Sequence, residues 1–212
     1  MSGELMLGMA LAYLLGSFPS AYVVARLVAG VDIRTVGDGN VGAKNVYHQA
    51  GLIPAAVVAV ADAGKGTLTV LLAQQLALSE LASFLMGLAA VLGHDWPLFL
   101  RFRGGQGQAT SVGVLLVLMP RETIIGLAVT GVVLWRTDHW DLSNGIGFAL
   151  MPLLAWWSGR PSRQVLYFVA LFPTIGLRKM LGMPTARRLA AARKLEEQEA
   201  DVVLPLPVGT KR

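Results

Sequence analysis

Apolar residues run along this chain in seven blocks, at about residues 5–28, 52–78, 81–92, 109–119, 123–134, 142–157 and 165–177, with short polar stretches between them. The blocks are rich in Leu, Val, Ala and Gly and do not alternate strictly, which argues for helices rather than barrel strands. A helix of roughly 20 residues crosses a hydrocarbon core. The first two blocks reach that length, and the shorter ones imply tilt, local thinning or extension into the loops. The pattern predicts an all-α, polytopic membrane protein of about seven transmembrane helices over residues 1–181, followed by a tail over 182–212.

Two blocks carry polar interruptions. Gly16-Ser17-Phe18-Pro19-Ser20 breaks the first, where proline kinks the helix and frees a carbonyl that protein or water must cover. Arg26, near the end of that block, either snorkels to the boundary or faces the polar loop that follows. Asp62-Ala63-Gly64-Lys65-Gly66 lies inside the second block, and intramembrane charges usually mark function. Asp62 and Lys65, three apart, share a helix face and either pair with each other or leave Lys65 to a ligand. A Walker A reading fails, because the glycine required before Gly64-Lys65 is missing. His94 reads as a structural histidine, and Thr137 to Asn144 as a capped helix start with Asp141 or Ser143 accepting backbone N–H bonds.

Composition narrows the class. With 54% hydrophobic and 15% charged residues the chain is too apolar for an ordinary soluble domain. The absence of cysteine excludes disulfides and thiolate chemistry, and three scattered histidines make no metal site. The net charge of +5 lies in loops and tail without aromatic interleaving, which points to anionic membrane lipids and not to nucleic acid. The start, Met1-Ser2-Gly3-Glu4, has no basic n-region, so the first block reads as a retained anchor. If the blocks cross seven times, Arg26, Arg34, Lys44, Arg101, Arg103, Arg136 and the eight basic residues from Arg178 onward share one side, against Arg121, Arg160 and Arg163 on the other. The positive-inside rule then places the loops and the C-terminus in the cytoplasm, with the protein in the cytoplasmic (inner) membrane. Residues 184–199 read as a short amphipathic helix whose Arg187, Arg188, Arg193 and Lys194 either rest on headgroups or are solvated.

The chemistry concentrates in two glycine-rich loops. In Gly37-Asp38-Gly39-Asn40-Val41-Gly42-Ala43-Lys44-Asn45 the glycines permit positive φ, so that successive N–H groups converge on an anion. Asn40 and Asn45 add amides and Lys44 a charge. Gly104-Gly105-Gln106-Gly107-Gln108-Ala109-Thr110 repeats the design after Arg101 and Arg103. A tight turn explains either loop alone. Two such loops at membrane boundaries predict one shared anion site.

In order and spacing, Leu15-Gly16-Ser17-Phe18-Pro19-Ser20, Gly37-x-Gly39-Asn40-x-Gly42-Ala43-x-Asn45, Asp62-x-x-Lys65-Gly66, Gly93-His94, Pro97-x-Phe99 and Phe102-x-Gly104-Gly105-x-Gly107-x-Ala109-Thr110 match one pattern. By these motifs the chain resembles the bacterial acyl-phosphate:glycerol-3-phosphate acyltransferases of PlsY type over about its first 155 residues. The resemblance implies a seven-helix cytoplasmic-membrane enzyme of phospholipid biosynthesis that passes an acyl chain from acyl phosphate to glycerol 3-phosphate, without metal, cofactor or thioester donor. An acyl phosphate is an activated mixed anhydride, so the protein need only hold the acceptor hydroxyl near the carbonyl and stabilise departing phosphate. No side-chain nucleophile is required. The backbone of residues 37–42 and 104–107 is assigned as phosphate donor, Lys44 and Lys65 as charge partners, and Asn40 and Asn45 as orienting amides.

The chain departs from that family at Asp38, at Lys44 in place of threonine, at His48 in place of arginine and at Gln106 in place of lysine. Gly176-Leu177-Arg178-Lys179-Met180 stands where a His-Arg-x-Asn run is expected. Asp38 repels a phosphate unless it is protonated or paired with Lys44. The competing reading is a non-catalytic membrane protein of the same fold that binds a phosphate-bearing lipid or another anion.

Overall fold

The computed structural model describes residues 3–203, and every regular element among them is helical. α1 (Gly3–Gly16) and α2 (Ser20–Ala29) form one membrane-length unit interrupted at Ser17, Phe18 and Pro19. The carbonyl freed by that break is not left bare, because Lys65 Nζ donates to Phe18 O at 2.6 Å. A polar loop leads to α3 (Ala43–Ala50), then α4 (Leu52–Gln75) and α5 (Glu80–Asp95). A 3-10 turn (Leu98–Leu100) and the second loop precede α6 (Gln108–Leu118), α7 (Pro120–Thr137), α8 (Trp140–Trp157) and α9 (Ser162–Val203).

Four units, Gly3–Ala29, Leu52–Gln75, Glu80–Leu100 and Ser162–Gln198, are long and apolar enough to cross a membrane. α7 and α8 have 18 residues each, or about 27 Å at helical rise. Their partner α6 is shorter, at 11 residues. Leu11, Leu27, Ile53, Val60, Leu72, Trp135, Trp156 and Trp157 point outward, as side chains in lipid do.

Glycine sets the helix crossings. Gly16 of α1 lies on the Ala90 backbone of α5, and Gly93 of α5 on the Tyr13 carbonyl of α1. Gly66 and Gly113 join α4 to α6 in the same way, and Gly126 with Gly147 joins α7 to α8. A Cβ at these places meets backbone of the neighbouring helix, so small residues allow the close approach that drives association where lipid removes the hydrophobic effect. The start of α7 is tied to the α8–α9 connection by Glu122, whose two carboxylate oxygens accept from Arg160 at 3.0 Å each.

α9 differs from expectation. Where the sequence suggests a span followed by a separate amphipathic segment, one 42-residue helix continues through Pro173 and Pro184. Packing overrides the prolines: Thr185 and Leu189 lie against Gly39 of the first loop, which anchors the helix beyond its second proline.

Candidate functional site

The first loop is built around Asn45. This side chain is 1% exposed, and its Nδ2 donates to the carbonyls of Ile33, Val36 and Asn40 at 3.0, 3.0 and 3.1 Å. Asn45 therefore holds the loop rather than presenting its amide outward. Gly37 and Gly39 take left-handed φ of 59° and 70°, as the sequence suggests. Two N–H groups of the expected cradle are used internally: that of Gly39 by Val36 O at 3.0 Å, and that of Asn40 by Asp38 Oδ1 at 3.0 Å. Asp38 is thus not paired with Lys44 but closes an Asx turn. Just upstream, Arg34 donates to Asp32 through Nε and Nη2 at 2.9 and 2.6 Å and stacks over the Tyr22 ring. Those hydrogen bonds hold the Asp32 carboxyl below the usual carboxylate range.

The second loop is shaped by close approach instead. A Cβ on Gly104 meets the His94 carbonyl and the Pro97 ring, and one on Gly105 meets the His94 imidazole and the Val41 carbonyl. Gly105 N–H donates to His94 O at 3.1 Å, so this backbone is folded onto the end of α5. Gly107, at φ 65°, leads into α6. Arg178 of α9 fastens the loop from outside, donating from Nε to Asp95 O at 2.9 Å and from Nη2 to Gly104 O at 2.7 Å. Arg101 and Phe102 adopt left-handed φ of 54° and 62°, a strained pair that precedes Arg103.

The intramembrane charges pair with each other. Lys65 Nζ lies 2.6 Å from Asp62 Oδ1, which also accepts from Ser20 Oγ at 2.9 Å and faces His94 Nδ1 at 3.5 Å. All four side chains are buried. With its remaining reach spent on Phe18 O, Lys65 braces the α1–α2 break. Arg26 likewise turns to its own helix end, donating to Gly30 O at 3.0 Å.

A cleft of about 920 Å³ opens where both loops, the start of α8 and the middle of α9 meet. Of the residues singled out from sequence, Asp38, Gly39, Asn40, Gly42, Lys44 and Gln106 line it. Lys65 and Gly104 line a small adjoining pocket, together with Asp62 and His94, which reach both. Gly37, Asn45, Gly105 and Gly107 support the walls, and His48 lies exposed on α3, outside both cavities.

Six further residues line the cleft that the sequence assigns to charge balance, a helix cap or lipid contact and not to the site: Arg34, Arg103, Asp141, Arg178, Lys179 and Arg188. The signal available in the sequence is Arg178-Lys179, which closes the last apolar block. Arg103 and Arg188 make no side-chain hydrogen bond or ion pair among the described residues. Lys44 and Lys179 share Asp141, at 3.7 and 3.2 Å. Asp141 is therefore not a cap for α8, and Ser143 Oγ donates to His139 O at 2.7 Å.

Three helices, α3, α6 and α8, begin at this cleft, and none has a side-chain cap. The first N–H groups of any α-helix lack intrahelical acceptors and carry the positive end of its dipole. Helix starts and cations converge on one space, with an apolar wall of Ala59, Val112, Leu127, Phe148 and Leu181 alongside. Helix starts and cations of this kind are the groups that bind phosphate chemically, and apolar side chains are those that bind a hydrocarbon chain.

Comparison with known proteins gives the same direction. A family model described as glycerol-3-phosphate acyltransferase matches residues 6–182. Glycerol-3-phosphate acyltransferase 2 of Moorella thermoacetica is 42% identical over 186 residues, covering 88% of this chain and 94% of the relative. Glycerol-3-phosphate acyltransferase 2 of Dehalococcoides mccartyi is 35% identical over 196 residues, covering 88% and 93%. Among solved structures, the glycerol 3-phosphate form of PlsY, an integral membrane glycerol 3-phosphate acyltransferase, superposes with a TM-score of 0.78 at 30% identity, over 90% of this chain and 94% of that one. With ordered motifs, helical architecture and relatives in agreement over most of its length, this chain belongs to the glycerol-3-phosphate acyltransferase family.

Proposed function

We propose that the cleft is where an acyl group passes from acyl phosphate to glycerol 3-phosphate. The observation that carries the assignment is the meeting of three uncapped helix starts with Arg103 and Arg188, beside an apolar wall. Both substrates bear phosphate, and one bears a long chain. The acceptor oxygen forms the new ester bond to the acyl carbon, the bond from that carbon to the phosphate oxygen breaks, and phosphate leaves with the proton lost by the hydroxyl. Cations and helix dipoles stabilise the negative charge gathering on the departing phosphate. Asn40 and Gln106 line the cleft as neutral donors. Gly37, Asn45, Gly104, Gly105, Gly107 and Lys65 act by shaping its walls, and His48 is left without a part.

The departures from the family pattern do not empty the site of charge. Lys44 stands one helical turn before His48, Arg103 lies three residues before Gln106, and α9 contributes Arg178, Lys179 and Arg188. Purified protein incubated with acyl phosphate and labelled glycerol 3-phosphate should yield labelled lysophosphatidic acid. No product from a folded, detergent-solubilised sample would sink the assignment.

We read the chain as crossing the cytoplasmic membrane seven times, with residues 1–181 embedded and 182–212 extending into the cytoplasm. The support is geometric: the connections after the first, third and fifth crossings and the middle of α9, from Arg178 to Leu189, all border one cleft, as an odd number of passes requires. The excess of Lys and Arg on that face favours a cytoplasmic C-terminus. Arg187 and Lys194 are exposed to anionic lipids beside it, while Arg193 pairs with Glu197 at 2.8 Å. A reporter fused after Arg212 should be active in the cytoplasm; periplasmic activity would overturn the topology.

A further inference from the structure

Asp141 is an unexpected residue in a site for anions. It belongs to the first turn of α8, where a carboxylate commonly accepts N–H bonds from its own helix. Here it accepts none among the described residues. Its oxygens divide instead between two cations from different elements, Lys44 of α3 at 3.7 Å and Lys179 of α9 at 3.2 Å. Two lysines held near one point repel each other and require an anion between them. The carboxylate supplying it is 56% exposed, so water screens the pairs and holds them weakly. Gly42 and Ala43, at the uncapped start of α3, line the same cleft, as do Asn40 and Asn144. A phosphate monoester brings more charge and more acceptor oxygens to that place than a carboxylate does.

We propose that Lys44, Lys179 and the start of α3 form a phosphate subsite in which Asp141 is an exchangeable counter-ion: the phosphate group of a substrate displaces it and takes over both lysines. This rests on the cleft being the substrate site, and it makes Asp141 a specificity-determining residue that lowers affinity for any weaker anion. Free phosphate and a phosphate-bearing substrate share the required chemistry, so inorganic phosphate is a sufficient probe.

The test is equilibrium binding of radiolabelled inorganic phosphate to the full-length protein in detergent, with a melting temperature taken for each variant. Asp141→Asn should bind roughly 3- to 10-fold tighter, the size expected when one partly screened like charge is removed. Lys44→Met and Lys179→Met should each weaken binding, and either should cancel the gain when combined with Asp141→Asn. Asp138→Asn, an exposed acid three residues earlier that does not line the cleft, should change nothing. Unchanged or weaker phosphate binding by a folded Asp141→Asn protein would overturn the proposal, as would equal tightening by Asp138→Asn. A fall in melting temperature without tighter binding would identify Asp141 as a brace between α3, α8 and α9 and overturn it equally. Binding is read without turnover, so the two readings fail separately. Tightening in a protein that forms no lysophosphatidic acid removes the acyltransferase reading and keeps the subsite; acyl transfer with unaltered binding does the reverse.

Discussion

The two glycine-rich loops each hold three glycines and border the same cleft, yet Gly37 and Gly39 of the first and Gly104 and Gly105 of the second answer different physical demands. In the first, Gly37 and Gly39 are needed for left-handed φ, and the loop they shape faces the cleft. In the second, Gly104 and Gly105 are needed because a Cβ would strike the end of α5, and the cleft is lined by the Gln106, Gln108 and Ala109 that follow them. Glycine content therefore marks a place where backbone does something unusual without saying whether it bends or is pressed upon. The charges divide in the same manner. Asp62, Lys65 and His94 satisfy one another in the interior, whereas Arg103 and Arg188 line the cleft with no side-chain partner among the described residues.

The sharpest way to break this comparison is Gly105→Ala against Gly39→Ala. Alanine at 105 drives a methyl into the His94 ring and the Val41 carbonyl, and overpacking of this kind costs about 1–3 kcal/mol or more. Gly105→Ala should therefore lower the melting temperature clearly, and normal stability would show that the second loop has room to move. At Gly39 the penalty is conformational, about 1–2 kcal/mol for a non-glycine residue in the left-handed region, with mild crowding of Thr185 and Leu189 at 3.1 Å. Its variant should remain folded and lose mainly affinity for glycerol 3-phosphate, read as a raised KM. Equal melting temperatures for the two variants would erase the distinction drawn between the loops.

Smaller effects sharpen the contrast between satisfied and unpaired charge. Arg103→Ala should raise KM for a phosphate-bearing substrate by about tenfold, the loss of one charge-assisted contact of roughly 1.5 kcal/mol, while leaving the melting temperature unchanged. A stability loss without a kinetic effect would return Arg103 to the scaffold. The smallest effect concerns pH. Hydrogen bonds from Arg34 depress the Asp32 carboxyl in the folded state, so its contribution is present above the ordinary carboxylate pKa of about 3.9 and is lost as pH falls through the lower folded value. Asp32→Asn should remove that acid-side loss of stability and change little at neutral pH. An unaltered acid unfolding profile would mean that the Asp32 and Arg34 pair does not hold the first loop.

Much of the molecule was decided locally. Lipid forbids unsatisfied backbone, so unbroken apolar blocks had to become helices, and the break at Pro19 had to find protein to cover its carbonyl, which Lys65 does. The ordered glycine, asparagine and Asp-x-x-Lys motifs carried the family, because each is tied to a backbone geometry or a helix face readable from spacing alone. Lys44 and Gln106 lie within those motifs, and both line the cleft. What spacing does not carry is the direction of a side chain among several neighbours. Asn45 turns inward to three carbonyls, Lys65 to Asp62, and Asp141 across to two lysines rather than to its own helix. The cations of α9 reach the cleft for a similar reason: Arg178 lies 74 residues beyond Gly104 and Arg188 further still, and only the docking of that helix over both loops makes them neighbours of Lys44 and Arg103. The sequence by itself determined a membrane helix bundle and its family; the tertiary structure decided which charges pair at the cleft end and which make no ion pair among the described residues, because pairing depends on distances between elements remote in sequence.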